Sequence, residues 1–184
     1  MGILSGINQK RLFRTILANS RERLYRMAYS WTHDPTLADD LVQQACYQAL
    51  RKQRHLRDMD AADALLFRIL ANCLADHHRA RKEVLSGDEF VIVEKWTPEH
   101  ATQEEQVAQR VRKAVSALPL AHRQVVTLVD LEGFSYAAVA QILDIPVGTV
   151  MSRLSRGRRA LREHLLDVNA KGEMNLPAKV RRIK

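Results

Sequence analysis

Three arginines, Arg153, Arg156 and Arg159, recur every third residue late in the chain, interleaved with Thr149, Ser152 and Ser155. On a helix this spacing gathers forked guanidiniums and short hydroxyls onto one side. A guanidinium can grip guanine through two parallel hydrogen bonds in the major groove, and hydroxyls serve bases or phosphates. The chemistry implied is the reading of a duplex. A basic helical face is more often only solvated, so the inference rests on the elements that position it.

Those elements are a helix pair. Tyr136, Val139, Ala140 and Leu143 recur at i, i+3, i+4 and i+7, which predicts one apolar helix face. Ala140 is small enough to let a second helix cross closely. Asp144 stands where such turns usually carry glycine, and aspartate is among the few other residues that tolerate a positive φ. Pro146 presets φ for a new helix start, with Ile145, Val147, Val150, Leu154, Leu161 and Leu165 expected to point inward. Ser135 is the expected N-cap of the first helix. Ala138 stands where a glutamate would complete a capping box. An apolar helix, a tight turn and a second helix with a basic outward face fit the major groove.

Composition agrees and narrows the alternatives. The 184 residues, 46% apolar, suffice for one or two small cores, and 29 basic against 21 acidic residues give a net charge of +8. That balance favours a polyanionic partner over a small acidic substrate. Charge is uneven: Arg153 to Lys184 is strongly basic, while Asp34 to Asp40 and Asp58 to Asp63 are acidic. Cys46 and Cys73 lack metal-ligand spacing and are expected as reduced core thiols. His77 and His78 would point about 100° apart on a helix and cannot share an ion. No metal or cofactor is expected. No nucleophile, base and metal converge in the pattern, which argues against an enzyme with a small-molecule substrate. Arg68 interrupts the best apolar run, Ala61 to Ala75, the N-terminus lacks a signal-peptide layout, and Ser5 falls one position too early for a myristoylation pattern. A cytosolic chain without membrane insertion is the expectation.

Periodicity predicts an all-α fold of two small domains. A first helix spans about Gln9 to Trp31, with Leu12, Ile16, Leu24, Met27, Ala28 and Trp31 inward. Asp34 and Pro35 read as N-cap and first turn of a second helix reaching about Arg54. Its inner face is Ala38, Leu41, Val42, Ala45, Cys46 and Ala49; Asp39, Asp40, Gln43, Gln44 and Gln48 form the outer face. A third helix, about Ala61 to Lys82, carries core candidates Leu65, Leu66, Ile69, Leu70, Cys73 and Leu74. Residues 83–102 read as a flexible linker, in which Phe90 to Val93 is too short to anchor a sheet. The second domain, 103–168, has a helix from Gln103 to Leu118, a break at Pro119, a helix from Leu120 to Leu131, and a stop at Gly133. Residues 169–184 read as a basic, mobile tail.

The stretch LPLAHRQVVTLVDLEGFSYAAVAQILDIPVGTVMSRLSRGRRAL closely resembles the σ4 pattern of the extracytoplasmic-function sigma factors, in which LP, GFSY, PVGTV and SR recur in this order. DDLVQQACYQALR is similar to that family's D-x-V-Q-E-x-F block, and LLFRILANCLADHHRARK to its W-L-x-R-I-A-x-N-x-x-x-D-x-x-R block. The resemblance covers most of the chain. It implies a σ2-like helical module, residues 1–82, joined to a σ4-like helix-turn-helix module, and a function in directing core RNA polymerase to promoters.

Residue by residue, the resemblance implies that Asp39, Asp40, Gln43 and Gln44 meet polymerase. Asn72 and Asp76 would lie near a base flipped from the −10 element, with Arg79, Arg81 and Lys82 approaching phosphates. Thr149, Ser152, Arg153, Ser155, Arg156 and Arg159 would read the −35 element, with Arg123, Ser135 and Tyr136 at phosphates. An anti-sigma protein held between the modules is a further partner implied by analogy. The chain also departs from the pattern. Leu65 replaces a tryptophan, and Phe67 is the only aromatic of its helix, so stacking on unpaired bases is expected to rest on few residues or on the preceding loop, Lys52 to Asp60. Gln44 replaces glutamate, and Cys46 an aromatic. Met151 and Ser155 occupy variable recognition slots. The rival reading is a dimeric helix-turn-helix regulator, which requires a two-fold interface and paired half-sites.

Overall fold

The computed structural model describes residues 2–52, 62–84 and 103–170, with side-chain surroundings defined for 11–52, 62–81 and 110–166. The described elements are helical: α1 Gly2–Thr32, α2 Pro35–Lys52, α3 Ala62–Val84, α4 Gln103–Ser116, α5 Leu120–Val126, α6 Tyr136–Leu143 and α7 Val147–Ala170, with a π-type turn at Thr127–Leu131 after α5. The expected linker core, 85–102, with Phe90 to Val93, and the tail from residue 171 lie outside the described residues.

Helices α1, α2 and α3 form the first group. Asp34 caps α2 as expected: its Oδ1 accepts hydrogen bonds from the backbone N–H of Thr36 at 2.9 Å and of Leu37 at 3.0 Å. The inner face of α2 is buried at Ala38, Leu41, Val42, Ala45 and Ala49. On α1 the expected face is turned by one residue. Phe13 and Leu17 are buried while Leu12 is half-exposed, because the stripe that meets α2 and α3 is Phe13, Leu17, Leu24, Met27, Ala28 and Trp31. One position on a helix is about 100° of rotation, enough to move Leu12 off that stripe.

Helix α3 is apolar around most of its circumference. Leu66, Phe67, Ile69, Leu70, Ala71, Cys73 and Leu74 are all buried, more than a one-sided amphipathic helix needs. The reason is its place: α1 and α2 cover one side and α6 of the second group covers the other.

In the second group, the helix expected to run unbroken to Leu131 changes character at Thr127. The π-type turn closes with Glu132 N–H on Thr127 O at 3.1 Å and Phe134 N–H on Leu128 O at 3.1 Å, and Gly133 ends it at φ +74°. The two groups are in contact. Buried side chains from Phe13 to Leu154 make one continuous apolar core, and Phe67 of α3 meets Phe134 edge-on with ring centroids 5.1 Å apart. Phe67 is therefore a core residue, not open for stacking on bases, and most of the preceding loop that was the other expected source of stacking, 53–60, lies outside the described residues.

Candidate nucleic-acid interface

The turn between α6 and α7 is built as its residues dictate. Ser135 Oγ accepts from Ala138 N–H at 3.2 Å, so α6 is capped despite the missing glutamate. Asp144 ends α6 in the left-handed region, φ 53° and ψ 50°, and the next N–H, of Ile145, reaches back to Ala140 O at 3.0 Å. Pro146 O then accepts from Thr149 and Val150 N–H at 2.9 and 3.1 Å, which starts α7.

The inward stripe of α7 is Val150, Leu154 and Gly157, with Leu161 and Leu165 half-buried. Gly157, which the sequence reading did not single out, marks a close approach of α7 to α5. A Cβ added there would meet Val126 Cγ2 at 2.6 Å and His122 Cβ at 3.5 Å. Val147 does not join the stripe. It is exposed at the first turn of α7, where it only lines an open depression beside Ala137, Ala140 and Gln141. Tyr136, expected inward on α6, is likewise exposed, and Ile142 is buried in its stead.

Outward, α7 presents Ser152, Ser155, Arg156 and Arg159 exposed and Thr149 and Arg153 half-buried. Arg159 approaches Glu163 at 3.9 Å, an exposed pair of little strength. Arg153 and Arg156 have no acidic partner among the described residues. Both act on His122, whose pKa is lowered by burial first and then by these two charges, so its ring is neutral near pH 7. Arg158 is engaged with Asp130 at 2.5 and 3.1 Å.

Of the expected phosphate contacts, Ser135 keeps its O–H to donate after accepting from Ala138, and Tyr136 is exposed beside it. Arg123 is engaged within the protein. Its guanidinium donates to Trp31 O at 2.9 Å, Ser116 O at 2.7 Å and Leu118 O at 2.8 Å, and burial draws its pKa below the ordinary value. Helix ends leave carbonyls without intrahelical partners, and this side chain satisfies those at the ends of α1 and α4, where a cation also meets the negative end of each helix dipole.

On α3, Asn72, Asp76, Arg79 and Arg81 are exposed, and Asp76 and Arg79 pair with each other. Lys82 lies on α3 beyond the residues whose side chains are defined. On α2, Asp40, Gln43 and Gln44 are exposed, while the carboxylate of Asp39 is held by Gln43 Nε2 at 2.6 Å and Arg21 at 3.5 Å. Tyr47, one turn beyond Gln43 and Gln44, is 62% exposed with the Arg51 guanidinium 5.8 Å over its ring. Its place on the face that carries Gln44 follows from the helical spacing of the sequence, which named neither face for it. Cys73 is buried and Cys46 half-buried, both free, with burial raising each thiol's pKa. No described helix is long and apolar enough to cross a membrane.

A helix-turn-helix with a basic outward face, seated on a second helical group with its own polar and basic faces, defines a bipartite helical DNA-reading protein. Residues 17–84 match the model of sigma-70 region 2, and residues 108–161 match that of sigma-70 region 4. The chain is 31% identical to the extracytoplasmic-function RNA polymerase sigma-E factor of Escherichia coli over 66% of this chain and 70% of that protein. It is 32% identical to the sigma factor SigE of Mycolicibacterium smegmatis over 78% of this chain, spanning 58% of that longer relative. The fold superposes with a TM-score of 0.72 on the sigma factor RpoE from Bartonella quintana, solved with the anti-sigma factor NepR, at 30% identity over 84% of this chain and 96% of that one. The chain belongs to the extracytoplasmic-function sigma factors of the sigma-70 family, which act with core RNA polymerase on promoter DNA.

Proposed function

We propose that this sigma factor works as two modules, about 1–82 and 103–168, holding polymerase through α2 and the two promoter elements through α3 and α7. In this reading α7 lies in the major groove of the −35 element, with Arg153 and Arg156 at base edges, Ser152, Ser155 and Thr149 at bases or phosphates, Arg159 farther along the groove, and Ser135 with Tyr136 on the flanking backbone. Asn72 and Asp76, with the cations Arg79, Arg81 and Lys82, serve the opened −10 strand, where the Asp76–Arg79 pair exchanges for base and phosphate. Asp40, Gln43 and Gln44 meet polymerase with Tyr47 as an added anchor, since an exposed aromatic stacked with arginine is the side-chain type on which interfaces concentrate binding energy. The chain itself catalyses nothing and works in the cytoplasm. An anti-sigma protein is a natural antagonist, because the neighbouring fold was solved bound to one.

The observation that carries this reading is the outward pair Arg153 and Arg156, held on a helix fixed by its caps and its close crossing at Gly157, with no acidic partner among the described residues. Arg156→Ala is expected to abolish −35-dependent transcription from a cognate promoter and to leave capture by core polymerase intact, a lost bidentate base contact costing about 1–3 kcal/mol. Unchanged output in a reconstituted transcription assay would remove Arg156 from the reading face. Failure of the wild-type chain to be captured by core polymerase would remove the proposed role of α2.

A further inference from the structure

The outward side of α7 carries a feature that its arginines do not explain. Met151 and Val147 are large apolar side chains that stand outward on its first turns, 54% and 43% exposed. Each is a residue type that folding ordinarily hides. At about 100° per residue, Val147 and Ser155 lie about 40° from Met151 around the helix and Gly148 about 60°, whereas Arg156 and Arg153 lie about 140° and about 160° away. Ser152 falls between. The outward side of α7 therefore has two unlike edges, apolar at Val147 and Met151 and cationic at Arg153 and Arg156, with the hydroxyls of Ser152 and Ser155 along the middle. A Cβ added at Gly148, on the same strip as Met151, would meet nothing within 4 Å, so the strip is open to whatever lies against α7.

The major groove offers an apolar group in one place. Every base pair presents donors and acceptors there, and thymine alone adds a methyl, at C5. Guanidiniums and hydroxyls cannot exploit a methyl. Methionine can, because its unbranched side chain has three rotatable bonds and a polarizable thioether, and so adapts to the group it meets. The apolar edge of α7 therefore selects thymine as its cationic edge selects guanine. A protein partner needs a broader apolar patch than two side chains bordered by hydroxyls.

We propose that Met151, with Val147 beside it, is the thymine-reading edge of α7: its side chain packs on the C5-methyl of a thymine in the −35 element, while Arg153 and Arg156 address guanines across the same helix. The proposal rests on the two-element reading above and adds to it a base that none of the polar residues selects. Met151 then favours a T·A pair through a methyl contact and not through a hydrogen bond.

The test uses the full chain bound to core polymerase. A promoter is selected by transcription from a library randomised over both elements, and each thymine of its upstream element, on either strand, is replaced in turn by deoxyuridine, which lacks only the methyl. Wild type is expected to bind about fourfold more weakly when the thymine that Met151 meets is replaced, the ratio that one buried methyl-sized group is worth. Met151→Ser is expected to bind thymine and uracil duplexes within about 1.5-fold of each other. Met151→Leu, which keeps an apolar tip, is expected to retain discrimination of about twofold or more. Wild type that is indifferent to uracil at every thymine overturns the proposal, as does a Met151→Ser chain that still discriminates, or a selected upstream element with no preferred T·A pair. Arg156→Ala separates the proposal from the reading beneath it. If that variant loses dependence on the upstream element while uracil has no effect on wild type, the −35 reading stands and the thymine contact falls. If Arg156→Ala changes nothing and no upstream preference is selected, the reading itself falls and takes the proposal with it.

Discussion

Arg123 and Arg156 are the same residue type in neighbouring elements, and their surroundings give them opposite tasks. Arg156 is exposed with no acidic partner among the described residues; Arg123 donates to three carbonyls, two of them inside its own module and one on Trp31. Arg123→Ala is therefore expected to cost about 2–3 kcal/mol of folding stability in urea denaturation, since hydrogen bonds to a charged group contribute about 1.5–3 kcal/mol each and removal orphans buried acceptors. Its salt dependence of DNA binding should match wild type. A phosphate-binding arginine behaves the other way, leaving stability intact and lowering the salt slope by about 1, and that outcome would return Arg123 to the interface. The sequence shows an arginine near a helix start, which suits either role; which one holds depends on Trp31, 92 residues earlier in the chain. By contrast Ser135, Asp144 and Asp34 were legible because a cap or a turn depends only on the few residues beside it.

At the scale of elements, α7 is positioned by what one glycine lacks. Glycine within a helix costs about 1 kcal/mol relative to alanine, so Gly157→Ala would stabilise an open position. Here the added methyl would stand 2.6 Å from Val126 Cγ2, and Val126 is β-branched and buried, with little freedom to turn away. Overpacking of this kind costs about 1–3 kcal/mol, so the net expectation for Gly157→Ala is a loss of about 1 kcal/mol. Gly148, on the first turn of the same helix, has nothing within 4 Å of an added Cβ. Gly148→Ala should gain up to about 1 kcal/mol. Thermal denaturation of the two variants side by side decides it, and equal stabilisation by both would mean that α5 and α7 do not cross as closely as described. Helix existence and the α6–α7 turn followed from periodicity and capping. The rotation of α1 did not, because Leu12, Phe13, Ile16 and Leu17 offer two adjacent apolar stripes and only the helices packed on them choose between the two.

For the whole molecule, the junction of the modules was the least legible feature, because it pairs Trp31 with Thr127, Arg23 with Glu132 and Phe67 with Phe134, residues whose types alone suit a core or a surface. It also explains why α3 is apolar nearly all round. His33 reports on this junction. It follows α1 in a left-handed conformation, φ 54°, with Nε2 buried and unpartnered and the Arg123 guanidinium of the other module close enough to repel a second positive charge. Burial first, and that charge second, lower its pKa from 6.5 to about 4. A lowered pKa on a base means that the folded, docked state binds fewer protons than the unfolded one between these values. The stabilisation is complete above pH 6.5 and is lost as pH falls toward 4, with a slope of at most about 1.4 kcal/mol per pH unit from this group. Asparagine tolerates the left-handed backbone and does not titrate. The difference in unfolding free energy between wild type and His33→Asn is therefore expected to be constant above pH 6.5 and to shift in favour of the variant on acidification. Parallel pH profiles through that window would mean that His33 is not held neutral against Arg123.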